Sequence, residues 1–370
     1  MQYHGRGTKM FLKKGKRSFW CLAMVAIVLL NCVSFEVTAK EEITASKVVK
    51  DIQIGWNLGN QLDCDGVRKE NVDVTYYERL HGTPALDFAL IDMVKEAGYQ
   101  AIRVPVTYYC HISDEFIIDE EWLQYMEEVV AYILEQDLYC IIDVHHDTGK
   151  NGWIRADYQD VEIQKVAVQW LWTQIATHFK NYDNRLIYEG FNEVLNNDNK
   201  WSYAGQESYT AMNILNQAFV DAVRACGGYN ETRCLIVNTY AASAEANVMN
   251  GFVLPQDSVT DRLIVGIHNY QTSGISKMFS TINDTFVSKG IPVIIGEFGI
   301  PNYKSMSERY TYIEDVISNA KNYGIPCLWW DDSQTCTDAN SVKNYALINR
   351  RSLTWYFKDL ADYMVEMAQS

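Results

Sequence analysis

The sequence predicts an α/β fold, a (β/α)8 TIM barrel in a single domain, and three observations carry that prediction. Short apolar runs alternate with amphipathic helical stretches, recurring roughly every 35 to 45 residues, the spacing of βα units around a parallel sheet. Eight such runs lie between residues 52 and 332. The turn after the first, "GWNLGNQL", lacks the G-x-G-x-x-G phosphate turn that an open doubly wound sheet usually carries there.

In chain order the strand candidates are IQIGWNL (52–58), AIRVPVT (101–107), CIIDVHH (140–146), LIYEGFN (186–192), CLIVNTY (234–240), LIVGIHNY (263–270), PVIIGEF (292–298) and PCLWWDD (326–332). Helical stretches fall between them, at 85–98, 120–136, 161–179, 207–226 and 306–324. In the first of these Leu90, Ile91, Val94 and Ala97 recur at helical spacing and Gly98 is a natural stop. No proline-rich or serine-rich linker, low-complexity run or charge block interrupts residues 40–370, so one domain is expected there.

Residues 1–39 differ from the rest. Lys13, Lys14, Lys16 and Arg17 precede a long apolar run that ends in Val37-Thr38-Ala39, the pattern of a secretory signal peptide cut after Ala39. Left uncut, the same run is long enough to anchor the chain in a membrane. The leader holds six basic residues and one acidic, so residues 40–370 keep 26 and 46, a net charge of −20. Such a surface repels nucleic acid and anionic membrane and suits neutral substrates outside the cell. Seven of the nine cysteines lie beyond the leader, an odd number without C-x-x-C spacing, which argues against a disulfide framework and a structural zinc site. Cys226 and Cys234 flank a short turn and could pair; most others are expected as reduced, buried small hydrophobes.

Catalytic groups of such a barrel project from the C-terminal ends of its strands. Here those ends carry Arg103; Asp143, His145 and His146; Asn192 and Glu193; His268 and Tyr270; Glu297; and Trp329, Trp330 and Asp331. A lone Arg, Glu or His at a strand end is more often structural. Gathering so many ionisable groups at one mouth is costly unless they pair and serve a purpose. Glu193 and Glu297, on the fourth and seventh strands, can face each other there, as retaining glycoside hydrolysis requires of carboxyl groups about 5 to 5.5 Å apart. Arg103 and the His268-x-Tyr270 pair would keep one carboxylate ionised, while burial keeps the other protonated. Aromatic rings at the mouth suit the apolar faces of sugars.

GWNLGN, RVPV, DVHHD, EGFNE, IHNY, IIGEFG and LWWDD, in order at seven strand ends, resemble glycoside hydrolase family 5, the large cellulase family of clan A, over about residues 45–360. The resemblance implies Glu193 as acid/base and Glu297 as nucleophile, with Arg103 bracing the nucleophile and Tyr270 hydrogen-bonding it. It further implies His145, with His146 beside it, lining the subsite of the sugar to be cleaved, His268 paired with Tyr270 on the sixth strand, Asn192 on the sugar 2-hydroxyl, and Trp330 as a sugar platform. Trp56, Asn60, Asp63, Trp153 and Trp201 are further candidates, for which sugar contact and plain packing both stand. Two departures are visible: Val194 where many members have proline, and Asp332 where an asparagine is usual.

The expectation is therefore a secreted, retaining endo-β-1,4-glucanase (cellulase) acting on cellulose-like or mixed-linkage β-glucan, with xyloglucanase, β-mannanase or xylanase as alternatives. A polysaccharide is the expected partner, and nucleic acid, a membrane after leader removal, a cofactor and a metal are not; the chain is expected to be a monomer. The room left in the chain fits no appended carbohydrate-binding module, so soluble or amorphous glucan is the expected form. A metallo-hydrolase, suggested by His145-His146-Asp147, would want H-x-H on the first strand, which GWNLGN lacks. A non-catalytic sugar-binding barrel would be expected to have lost one of the glutamates.

Overall fold

The computed structural model describes residues 43–335 and 344–370. The leader and Cys336 lie outside them. Eight parallel strands close into a barrel in sequence order: β1 (Ile54–Leu58), β2 (Ala101–Val104), β3 (Tyr139–Ile142), β4 (Leu186–Glu189), β5 (Leu235–Asn238), β6 (Leu263–Asn269), β7 (Val293–Phe298) and β8 (Cys327–Asp331). Closure is by β1 on β8, with Gly55 opposite Leu328 and Asn57 opposite Trp330. The helices are α1 (Ala45–Asp51), α2 (Ala89–Glu96), α3 (Glu120–Glu135), α4 (Val161–His178), α5 (Gln206–Ala225), α6 (Ala246–Gly251), α7 (Ile275–Thr285), α8 (Met306–Asn322) and α9 (Lys358–Gln369). A two-stranded ribbon, β9 (Ile348–Asn349) with β10 (Thr354–Trp355), precedes α9. No helix among the described residues is long and apolar enough to cross a membrane.

Alternation along the strands builds the barrel interior in layers. Ala101, Ile141, Ile187, Ile236, Ile264, Ile294 and Leu328 form a dry lower layer. Gly55 completes it, since a Cβ there would stand 2.6 Å from Leu328 Cγ. Helix α1 sends Ala45 and Val48, followed by Ile52, into the same cluster and so closes the lower end. Its first turn is capped by Thr44, which accepts the Lys47 N–H. A larger apolar shell between barrel and helices takes the outward-facing strand residues, among them Trp56, Ile102, Ile142, Tyr188, Val237 and Trp329.

Two residues further along, on β1, β2, β4 and β5 and just past β3, the interior turns polar: Asn57, Arg103, Asp143, Glu189 and Asn238 are all buried there. Between β6 and β7 the register slips, so that Ile267 pairs Ile295 but His268 pairs Glu297. One extra residue on β7, Gly296, turns Glu297 towards the interior, which simple alternation from Ile294 would not do.

Cys226 and Cys234 do not pair: both are free thiols. Cys226 ends α5 and turns its sulfur back to the Ala222 carbonyl, whereas Cys234, starting β5, is buried in the barrel's lower cluster. They therefore sit in different layers. The other described cysteines are also free, and Cys64, Cys110, Cys140 and Cys327 are buried.

Candidate active site

Arg103 is the centre of the polar layer, and each of its five N–H donors has a partner. Nε donates to Glu189 Oε2 (2.5 Å), Nη1 to Asn57 Oδ1 (3.0 Å) and Glu297 Oε1 (2.8 Å), and Nη2 to Asp143 Oδ2 (2.7 Å) and Asn192 Oδ1 (3.0 Å). Burial works against the guanidinium's charge, but Glu189, Asp143 and Glu297 outweigh it and hold it protonated. Glu189 is fixed from its other side by Asn238 Nδ2 (2.8 Å).

Glu297 accepts from Arg103 on one oxygen and from the Tyr270 hydroxyl (2.7 Å) on the other. Burial would raise its pKa, yet His268, Arg103, His145 and the Tyr270 hydrogen bond lower it below the ordinary value, so the carboxylate is ionised near neutrality. Glu193 stands opposite. Its Oε1 meets His268 Nδ1 at 2.9 Å, and its backbone is held by Thr148 Oγ1 and the Gly149 N–H. Oxygens of the two glutamates and a His268 nitrogen all lie within 4.8 Å of one another. The Glu193 side chain is 21% exposed and that of Glu297 is 6% exposed. Glu297 is thus the deeper of the two, and the partners differ: Arg103 and Tyr270 hydrogen-bond Glu297, whereas His268 hydrogen-bonds Glu193.

His145 Nδ1 is 2.8 Å from Asp143 Oδ2. Burial opposes its charge, but Asp143 and then Asp63 and Glu297 raise its pKa to about 9. Its ring lies parallel to Trp330, centroids 5.6 Å apart. Trp330 in turn rests over Gly59, where a Cβ would come 2.7 Å from the indole. These groups open on a cleft of about 540 Å³, which Asn60, His146, Asn192, Trp201, Glu193, Glu297 and Tyr270 also line. Asn60 is tied by Nδ2 to the Asp332 carbonyl (2.9 Å), and Trp201 is half exposed at the rim.

Three of the five further candidates do not line the cleft. Trp56 is fully buried on the outer face of β1, with the Arg350 guanidinium 5.3 Å above its ring, so it is a packing residue. Trp153 donates to Asp147 Oδ1 (2.6 Å) and packs edge-on against Phe116, and it does not line the cleft. Asp63 is buried beneath the two histidines of β3's exit loop. Conversely, the cleft includes residues the sequence reading did not name: Asp65 and His81, paired at 2.9 Å, the segment Thr148–Asn151, and Tyr345, edge-on to Tyr270. They come from loops far apart in sequence and share no periodicity that would have flagged them.

The sequence model of the family described as "Cellulase (glycosyl hydrolase family 5)" matches residues 66–335. The chain belongs to glycoside hydrolase family 5. Among its curated relatives, Endoglucanase A of Clostridium longisporum is 34% identical over 89% of this chain and 67% of its own length. Endoglucanase B of Ruminococcus albus is 34% identical over 88% and 81%. A broad-specificity endoglucanase of Ruminococcus champanellensis, solved with cellotriose, superposes with a TM-score of 0.82 at 37% identity, covering 88% of this chain and 99% of that one. A family 5 enzyme of Prevotella bryantii, solved as a glutamate-to-alanine mutant with a xyloglucan tetradecasaccharide, gives 0.80 at 32%, covering 88% and 99%. The chain is thus a glycoside hydrolase on a family 5 barrel.

Proposed function

We propose that this family 5 enzyme is a retaining endo-β-1,4-glucanase in which Glu297 is the nucleophile and Glu193 the acid/base. The observation that carries the assignment is the facing pair of glutamates with unlike partners. Arg103 and Tyr270 hold Glu297 ionised, one on each oxygen, which leaves each oxygen a second lone pair with which to reach an anomeric carbon, while Glu193 opens on the cleft beside His268. Glu193 then delivers its proton to the departing glycosidic oxygen as Glu297 bonds to carbon. In the second half it takes a proton from the water that opens the glycosyl ester, and the configuration is retained. Asn192, oriented by Arg103, is the contact for the 2-hydroxyl, and Trp330 and Trp201 are the apolar platforms on either side.

The relatives' names favour β-glucan, and the xyloglucan complex of the Prevotella enzyme favours branched glucan as a second substrate. Action outside the cell is part of the proposal, supported by the leader pattern of residues 1–39. Glu297→Gln and Glu193→Gln are each expected to lower kcat on barley β-glucan by several orders of magnitude, by roughly 10³-fold or more. Either variant keeping activity within about tenfold of the parent overturns the assignment. Reducing ends and product lengths on carboxymethylcellulose, barley β-glucan, xyloglucan, glucomannan and xylan rank the substrates.

A further inference from the structure

Beside the glutamate pair, three donor atoms converge under the same cleft. Asp63 Oδ2 lies 3.6 Å from His146 Nε2 and 3.9 Å from His145 Nε2, and the three residues offer one donor atom each within 4.8 Å of one another. These separations are too long for hydrogen bonds. They are close to the edge of a tetrahedron of ligands around Zn²⁺, about 3.4 Å for bonds of about 2.0 to 2.1 Å.

The carboxylate is built in. Asp63 is fully buried, its Oδ1 accepts the Gln61 N–H (2.9 Å), and its carbonyl accepts the Thr107 hydroxyl (2.9 Å). Oδ2 has no hydrogen-bond partner and faces the two imidazoles. An orphaned, buried carboxylate oxygen is costly and calls for a ligand. His145 has Nδ1 on Asp143, the arrangement by which a carboxylate orients a metal-binding imidazole and turns its Nε2 side to the other ligands. His146 is part exposed and lines the cleft, which supplies both an entry path and room for a water at an open position.

We propose that Asp63, His145 and His146 form a binding site for a borderline divalent cation, Zn²⁺ or Cu²⁺, in which one carboxylate and two imidazoles are the ligands. Binding displaces the proton from His145 Nε2 and leaves one or more positions for solvent. The proposed hydrolysis uses no metal, and a cation here stands against the ring stacked on Trp330, so it blocks the sugar path. That inhibitory consequence rests on the glucanase reading, whereas the binding does not.

The test is calorimetric titration of the full chain with Zn²⁺ at neutral pH, in a Cys226→Ser background because Cys226 is the one part-exposed thiol among the described residues. Co²⁺ replaces Zn²⁺ in a parallel visible spectrum. The expected result is one saturable site with cobalt d–d bands, weakened at least about tenfold by His146→Gln and by Asp63→Asn, and unchanged by Glu193→Gln. His146 is at the surface, so its variant reports even if Asp63→Asn fails to fold. Absence of a saturable site overturns the proposal, as does affinity indifferent to His146→Gln. Loss of binding in Glu193→Gln also overturns it, by moving the cation to Glu193, His268 and Glu297.

Discussion

Asp332 lines the cleft with Oδ1 on the Tyr345 and Gln334 N–H groups and Oδ2 buried without a partner. Burial, with Asp331 adding repulsion, pushes its pKa up to about 7 against the pull of those N–H groups and Arg350. An unfolded aspartate titrates near 3.9, so between about pH 4 and 7 the folded chain binds the extra proton and stability falls as pH rises through that window. Asp332→Asn removes the penalty. It is expected to melt higher than the parent at pH 8, by about 4 °C or more, with no gain at pH 4, as differential scanning calorimetry would show. At this scale the sequence was legible where residue type and position agree. Arg103, Asn192, Glu193, His268 and Tyr270 meet where strand-end logic puts them. For Trp56, where sugar contact and packing both stood, the packing position was already signalled: with Gly55 and Asn57 facing inward, the residue between them must face out.

At the scale of elements, what the sequence could not supply is irregularity. Alternation from Ile294 through Gly296 points Glu297 away from the barrel, and only the extra residue of the β7 bulge brings it in. Loops were equally opaque, since Asp65, His81 and Tyr345 reach the cleft through contacts distant in sequence. The loop after β1 has a measurable duty. Gly59 lets the backbone pass beneath Trp330, and Arg350 clamps it, donating to the Gly59 and Asp331 carbonyls at 2.8 Å each. Gly59→Ala places a methyl 2.7 Å from the indole and 2.9 Å from the Asp331 carbonyl. It is expected to cost about 1 to 3 kcal/mol of stability in urea unfolding and to raise KM for a soluble glucan more than it lowers kcat.

For the whole molecule, the eight apolar runs gave barrel and strand order because a closed parallel sheet buries each strand on both faces, and such burial leaves a strong apolar signature. The two ends of that barrel then diverge: one is dry and plugged by α1, the other polar and open. Val48→Asp puts an unpaired charge into the dry end. It is expected to cost about 3 kcal/mol or more and to lower Tm, while KM for β-glucan stays within about twofold of the parent, because the disturbance lies at the opposite end from the cleft. Arg103 marks the boundary between those halves. Its five acceptors come from β1, β4, β7 and the exits of β3 and β4, so one planar group ties the reacting carboxylate to the frame of strands. The rim residues Trp201, His81 and Tyr345 belong to loops outside that frame. Exchanging those loops for a relative's is therefore a way to re-engineer which chain is gripped while leaving the chemistry's alignment intact, a division of labour between chassis and tool.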